Sequence, residues 1–199
     1  MVDESDAELI VLLDEDWNIA GTAPKVQAHH QDTPLHLAFT AYVFDEDGRF
    51  LLTRRSLAKR TWPGVWTNSF CGHPLPGEPL ERAVRRRLAA ELGCTAARID
   101  PVLAAVRYRA VMDNGIVENE VGPVVRVLLD TPPVLNEQEV DSVRWLPWKE
   151  VLWEIDHEQT DLSPWSVVTI ERLRDLGPEP WAWPMALPQE LPPALRCPA

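Results

Sequence analysis

Five consecutive apolar residues at 9–13 (LIVLL), closed by an acidic turn at 14–16, have the length and composition of a buried strand. Residues 36–44 and 50–53 read as two further strands around a polar, glycine-containing hairpin loop at 45–48. The period then changes. Leu80, Val84, Leu88 and Leu92 recur at i, i+4 with Ala83 beside them and Gly93 as the stop, which predicts an amphipathic helix over 79–92. Residues 102–110 and 116–129 return to strand character and meet at the hairpin signal MDNG, 112–115. A last strand at 143–146 precedes helices at about 147–155 and 164–176. Residues 61–76 hold too much Pro and Gly for regular structure and too much Trp and Phe for a solvated loop. After Gly177 seven prolines punctuate the chain, so 178–199 cannot be a helix and reads as an extended or partly ordered tail, with Trp181 and Trp183 packed on the domain. The pattern predicts an α/β (α+β) domain over 1–177, a mixed sheet sandwiched between helices, followed by a Pro-rich tail.

At 199 residues the chain suffices for one well-buried domain. No run approaches the ~18 apolar residues of a membrane span, and the acidic start MVDESDAE is unlike a secretory signal. A cytoplasmic address is the expectation. Three cysteines, Cys71, Cys94 and Cys197, make no disulfide framework and read as reduced thiols. A formal net charge of −12 argues against a nucleic-acid partner. It also means that any basic residues gathered on an anionic small molecule work locally, against the field of the whole chain. Nothing in the pattern sets an oligomeric state.

The chemistry-bearing residues form a pattern. His29, His36 and His73 stand beside other potential ligands, and Glu118 and Glu120, two apart on a strand, share one face. Three imidazoles and two carboxylates suit Zn or Mn. A lone His is more often structural than ligating, and His30 and His157 take that reading. Cys71 lies in SFCGH, where Gly72 permits close backbone approach and Pro74 stiffens the chain just beyond; packing alone is the plainer account of such a thiol. Alternation places Tyr108 inward with Val106 and Ala110, where its hydroxyl needs a partner, in the core or in a site. The stretch TRRSLAKR at 53–60 offers four cations for phosphate, or a solvated basic loop. Arg87 and Glu91, at i, i+4, sit at the margin of the apolar helix stripe.

From Gly72 the chain resembles a Nudix box, with Glu78, Arg86, Leu88, Glu91 and Gly93 at the box spacing. Arg87 and Ala90 replace two glutamates that, in Nudix hydrolases, hold magnesium and activate water. The altered box, with AH at 28–29, LHLAF at 35–39, LTRR at 52–55, WPGVWTNS at 62–69, CGHP at 71–74, ELG at 91–93, RYR at 107–109, GIVENEV at 115–121 and SPW at 163–165, resembles the type 1 isopentenyl-diphosphate isomerase family over about residues 9–175.

That resemblance implies a Nudix-like fold and an enzyme interconverting isopentenyl and dimethylallyl diphosphate by proton addition and loss. It implies one Mn or Zn on His29, His36, His73, Glu118 and Glu120. Mg would sit on the diphosphate with help from Glu91, and Lys25, Arg55, Lys59 and Arg87 would touch the diphosphate. Cys71 and Glu120, with Tyr108 assisting, would be catalytic, and Trp165 would lie over the hydrocarbon. The family chemistry needs no flavin. The alternatives are a Nudix hydrolase of a diphosphate, against which the loss of two box glutamates speaks, and a non-catalytic binding module, against which the intact Cys71, Tyr108, Glu118 and Glu120 speak.

Overall fold

The structure, a computed structural model, describes residues 8–157 and 161–196. Cys197 and residues 1–7 of the acidic start lie outside them. The organising element is a strand buried on both faces: every residue of β4 (Phe39–Phe44) is buried. Such a strand reads as a continuous apolar run because both of its sides are covered. It pairs in parallel with β9 (Val117–Leu129), Thr40 to Phe44 running beside Val124 to Leu128. Around this pair the sheet runs β10 (Val140–Pro147), β5 (Arg49–Arg55), β4, β9, β3 (His36–Leu37), β1 (Leu9–Leu13) and β2 (Ile19–Pro24). Strand β8 (Ala96–Val111) lies antiparallel along β9.

Alternation along β4 divides the core. Phe39, Ala41 and Val43 face Ala83, Val84, Leu88 and Leu92 of helix α2 (Leu80–Leu92). Tyr42 and Phe44 face the opposite layer, built from Trp148 and Val151 of α3 (Trp148–Asp156) and Ile170 and Leu173 of α4 (Pro164–Arg174). The mixed sheet between helices expected from the sequence is therefore present.

The differences from expectation are local. Residues 36–44 form two short strands interrupted at Ala38 rather than one. Strand β8 begins six residues before position 102, because bulges around Pro101 and Leu103 let it bend without losing its partner. Two short strands, β6 (Trp66–Thr67) and β7 (Phe70–Gly72), lie inside the segment expected to be irregular; they pair with β5 and β4. Strand β2 and the single turn α1 (Lys25–Ala28) have no periodicity long enough to announce them. The proline-rich tail makes 3-10 turns and packs on the sheet. Trp183 is buried against Phe44 and Trp148, and Leu191 joins the α2 core. The buried Arg126 guanidinium binds Asp100 at 2.6 Å, donates to the Pro180 carbonyl and lies 5.0 Å from the Trp181 ring.

Candidate active site

Strand register assembles the site. Glu120 on β9 stands opposite Tyr108 on β8 and, on the other side, opposite His36 on β3. One carboxylate thus lies between a phenol and an imidazole brought from three parts of the chain. The Tyr108 hydroxyl donates to Glu120 Oε2, while His36 Nε2 and His73 Nε2 lie 3.3 and 2.9 Å from Oε1. His73 follows β7, which pairs with β4 so that Cys71 stands opposite Thr40. His29 caps α1, and its Nε2 lies 3.0 Å from Glu118 Oε2.

The donor set fits a metal ion. Donor atoms of His29, His36, His73 and Glu120 all lie within 4.8 Å of one another. His29 Nδ1 donates to the Lys25 carbonyl at 2.7 Å and His36 Nδ1 to the Pro34 carbonyl at 2.9 Å. A carbonyl only accepts, so in the neutral rings these bonds put the proton on Nδ1 and leave both Nε2 lone pairs aimed at carboxylate oxygens. A cation shared by those lone pairs and oxygens resolves the arrangement, and the carbonyl bonds are the outer-shell partners that ligating histidines need. His73 Nδ1 and Glu118 Oε2 are buried without a hydrogen bond, which the same ion would relieve on the Glu118 side. Glu118 lies beside His29 but outside the group of four.

The electrostatics follow from burial and neighbours. Burial opposes ionisation of Glu120, but the adjoining His36 and His73, where a ring carries its second proton, outweigh it and hold the carboxyl well below the usual carboxylate range. Burial, then the Glu120 charge, pushes the Cys71 thiol up to about 12 and raises Tyr108 well above an ordinary phenol. Burial brings His73 down to about 3 against the pull of Glu120. For His29 the Glu118 carboxylate outweighs burial and the shift is upward.

A cleft of about 610 Å³ opens over these groups. Its lining includes Lys25, His29, Arg55, Lys59, Cys71, His73, Arg87, Glu91, Tyr108, Glu118, Glu120 and Trp165. Of the residues the family resemblance assigns to the site, only His36 is not in that lining; it is fully buried. Trp165 stacks on Tyr108 at 6.1 Å and meets Trp62 edge-on at 5.1 Å, giving the cleft an aromatic wall. Arg55 lies 5.7 Å from the Trp165 ring and donates to Thr61. Lys25 pairs with Glu8 at 2.7 Å.

Arg87 and Glu91, expected at a margin, are both buried, with Nη2 2.6 Å from Oε1. Gly72 makes this possible: a Cβ there would sit 2.6 Å from Arg87 Cγ and 3.0 Å from the Phe39 ring. His30 and His157 serve local structure, the first in a turn with Thr33 and the second stacked on Trp153. Arg54 pairs with Asp141 at the surface, and Arg60 is an exposed part of the cleft rim.

Two further residues belong to the site without a sequence pattern that marks them. Asn68 is fully buried and bonds both Cys71 and Trp165; its only signal was its place in the TNS string. Glu139 lines the cleft between Lys59 and Arg87, and nothing around it in the sequence marks it.

Known proteins resemble this chain in sequence and in fold. The NUDIX domain model matches residues 34–166. Isopentenyl-diphosphate Delta-isomerase of Saccharopolyspora erythraea is 47% identical over 187 residues, covering 94% of this chain and 96% of that one. The enzyme of the same name from Agromyces mediolanus is 50% identical over 173 residues, covering 87% and 84%. Among solved structures, a Deinococcus radiodurans protein superposes with a TM-score of 0.64 at 18% identity, over 83% of this chain and 98% of its own, a likeness of fold.

Proposed function

The chain belongs to the NUDIX domain family and, within it, to the isopentenyl-diphosphate isomerases, and from that premise we propose how its cleft moves a double bond. It is an isomerase of isoprenoid biosynthesis, interconverting isopentenyl and dimethylallyl diphosphate, and not a hydrolase or an inert binding module.

The alkene is unactivated, so the chemistry needs a proton added to its terminal carbon, a tertiary cation at the neighbouring carbon, and a proton lost from the carbon beyond. Cys71 and Glu120 are the groups that exchange those protons, on opposite faces of the planar intermediate, with the Tyr108 hydroxyl assisting Glu120. Burial raises the Cys71 thiol, and the histidines beside Glu120 lower its carboxyl. The family resemblance implies delivery from Glu120 with Tyr108 assisting, and Cys71 acting on the opposite face. Because the reaction is reversible, each group is donor in one direction and acceptor in the other.

The cation needs stabilisation without a nucleophile to trap it. The Trp165 face supplies about 0.5–2 kcal/mol through its quadrupole, and with Trp62 and Tyr108 it keeps water off the reacting carbons. Lys25, Arg55, Lys59 and Arg87 hold the diphosphate and so orient the five-carbon unit. His29, His36, His73, Glu118 and Glu120 would hold Mn or Zn, which when bound fixes the orientation and acidity of Glu120. Glu91 would hold Mg with the diphosphate.

The observation that carries this reading is the strand register that puts Tyr108 and His36 on either side of Glu120, in a cleft that Cys71, Trp165 and the four cations also line. The test is substitution. Cys71→Ala and Glu120→Gln should each abolish turnover of isopentenyl diphosphate by folded protein, while Cys71→Ala keeps its metal content. Full activity in either variant refutes the assignment.

A further inference from the structure

The turn over residues 134–140, between β9 and β10, touches both elements that carry cations into the cleft. On one side it closes the C-terminus of α2: Val134 N–H donates to the Leu92 carbonyl at 2.7 Å, Asn136 N–H to that of Glu91 at 3.0 Å, and Asn136 Nδ2 to that of Ala90 at 3.1 Å. On the other side it holds the loop after β5. Ser56 N–H donates to the Glu139 carbonyl at 3.0 Å, and Ser56 Oγ to that of Glu137 at 2.7 Å. Gly93 has φ +58°, and a Cβ there would lie 2.5 Å from the Val134 carbonyl oxygen. Its lack of a side chain therefore ends the helix and also seats the turn.

From this bracket one side chain reaches into the cleft. The Glu139 carboxylate pairs with Lys59 Nζ and lies 3.5 Å from Arg87 Nη2. Lys59 comes from the loop and Arg87 from the helix, so Glu139 is the point where the two halves meet.

We propose that the 134–140 turn is a positioning bracket for the diphosphate end of the substrate, and that Glu139 is the residue through which it acts. The proposal rests on the reading that Lys59 and Arg87 bind the diphosphate. A free lysine side chain samples many rotamers, and ordering it on binding costs affinity. Glu139 takes one of the three ammonium donors of Lys59 and leaves two for phosphate oxygens. It also screens Lys59 from Arg87, two like charges that would otherwise push apart before the substrate arrives. Glu139 is thus a positioning residue acting through Lys59 and Arg87, with no contact to the reacting carbons.

The test compares the parent protein, Glu139→Gln and Glu139→Asp, all metal-loaded. Steady-state kinetics with isopentenyl diphosphate and Mg is set beside calorimetric binding of inorganic pyrophosphate with Mg. Glu139→Gln should raise KM and the pyrophosphate Kd about tenfold while kcat moves less than about threefold, the pattern of lost ground-state positioning. Glu139→Asp, which keeps the charge, should fall between. A Glu139→Gln protein that binds pyrophosphate as tightly as the parent, or more tightly, overturns the proposal, because Glu139 would then compete with the diphosphate for the cations. A fall in kcat at unchanged KM overturns it as well. Should the parent turn over no isopentenyl diphosphate, the functional reading fails, and the pyrophosphate arm still decides the bracket.

Discussion

The side-chain oxygen of Asn68 accepts the indole N–H of Trp165 at 3.0 Å, and the same amide lies 3.3–3.4 Å from the Cys71 sulfur. Its Nδ2 donates to the carbonyls of Ala41 and Phe70 at 3.0 and 2.7 Å, and its oxygen also accepts from the Thr67 and Ser166 hydroxyls at 2.9 and 3.2 Å. A single buried amide therefore ties the aromatic wall and the thiol to the central strands. Asn68→Ala leaves the buried Trp165 indole N–H without its partner and removes one donor each from the Ala41 and Phe70 carbonyls, which costs about 1–3 kcal/mol. Losing the alignment of Cys71 should lower kcat by roughly 10²-fold, as small misplacements of reacting groups do. Urea denaturation and kinetics at a temperature where the variant is fully folded check both numbers.

Removing metal from the holoenzyme should abolish turnover and lower the melting temperature together. His29 and His36 cannot turn away, because their Nδ1 bonds to Lys25 and Pro34 hold them. Without a cation, lone pairs and carboxylates are left facing one another in a buried site. Melting curves before chelation, after chelation and after adding back Zn or Mn measure the effect; a melting temperature indifferent to metal contradicts it.

The tail carries stability. Trp183 is 3% exposed, packed edge-on against Phe44 and Trp148, and donates to the Gly177 carbonyl at 2.8 Å. Trp183→Ala should cost about 3–5 kcal/mol, the range for deleting a large buried aromatic. The shift in denaturation midpoint reads it directly.

Glu8 gives the fold a dependence on acid. Burial opposes its ionisation, yet Lys25 above all and further cations bring its pKa down from 4.5 to about 2, and Arg86 adds a 3.0 Å ion pair. A carboxylate whose folded pKa is depressed stabilises the protein fully above the unfolded value and stops doing so as pH falls through the folded one. The contribution, on the order of 3 kcal/mol, is present at pH 7, declines below about pH 4.5 and is lost as pH falls through about 2. Glu8→Gln should therefore be less stable than the parent at neutral pH, with the gap closing between pH 5 and 2 in denaturation experiments.

Much of this was legible in the sequence because periodicity and composition pointed the same way. The i, i+4 leucines of α2 and the alternation that turns Tyr108 inward each had one reading. The spacing of Glu118 and Glu120 placed them on one face, and the Nudix-like box supplied Glu91 and the exchange that made Arg87. What stayed hidden depends on tertiary pairing. Strands β6 and β7 are two and three residues long and exist because β5 and β4 offer edges to them. Glu139 acquires meaning only when a turn far along the chain meets the Lys59 loop and the end of α2. Asn68 looks like an ordinary loop asparagine until the strands around it close. The margin position expected for Arg87 failed for a similar reason: Gly72 lets β7 approach so closely that the guanidinium is covered.

The most direct measurement tracks carbon-bound deuterium and free phosphate together, with the metal-loaded protein, isopentenyl diphosphate and Mg in deuterated water. The account predicts dimethylallyl diphosphate carrying deuterium in a methyl group and no release of phosphate, since the new methyl hydrogen comes from a group that exchanges with solvent. Phosphate release, or a product without deuterium, contradicts it.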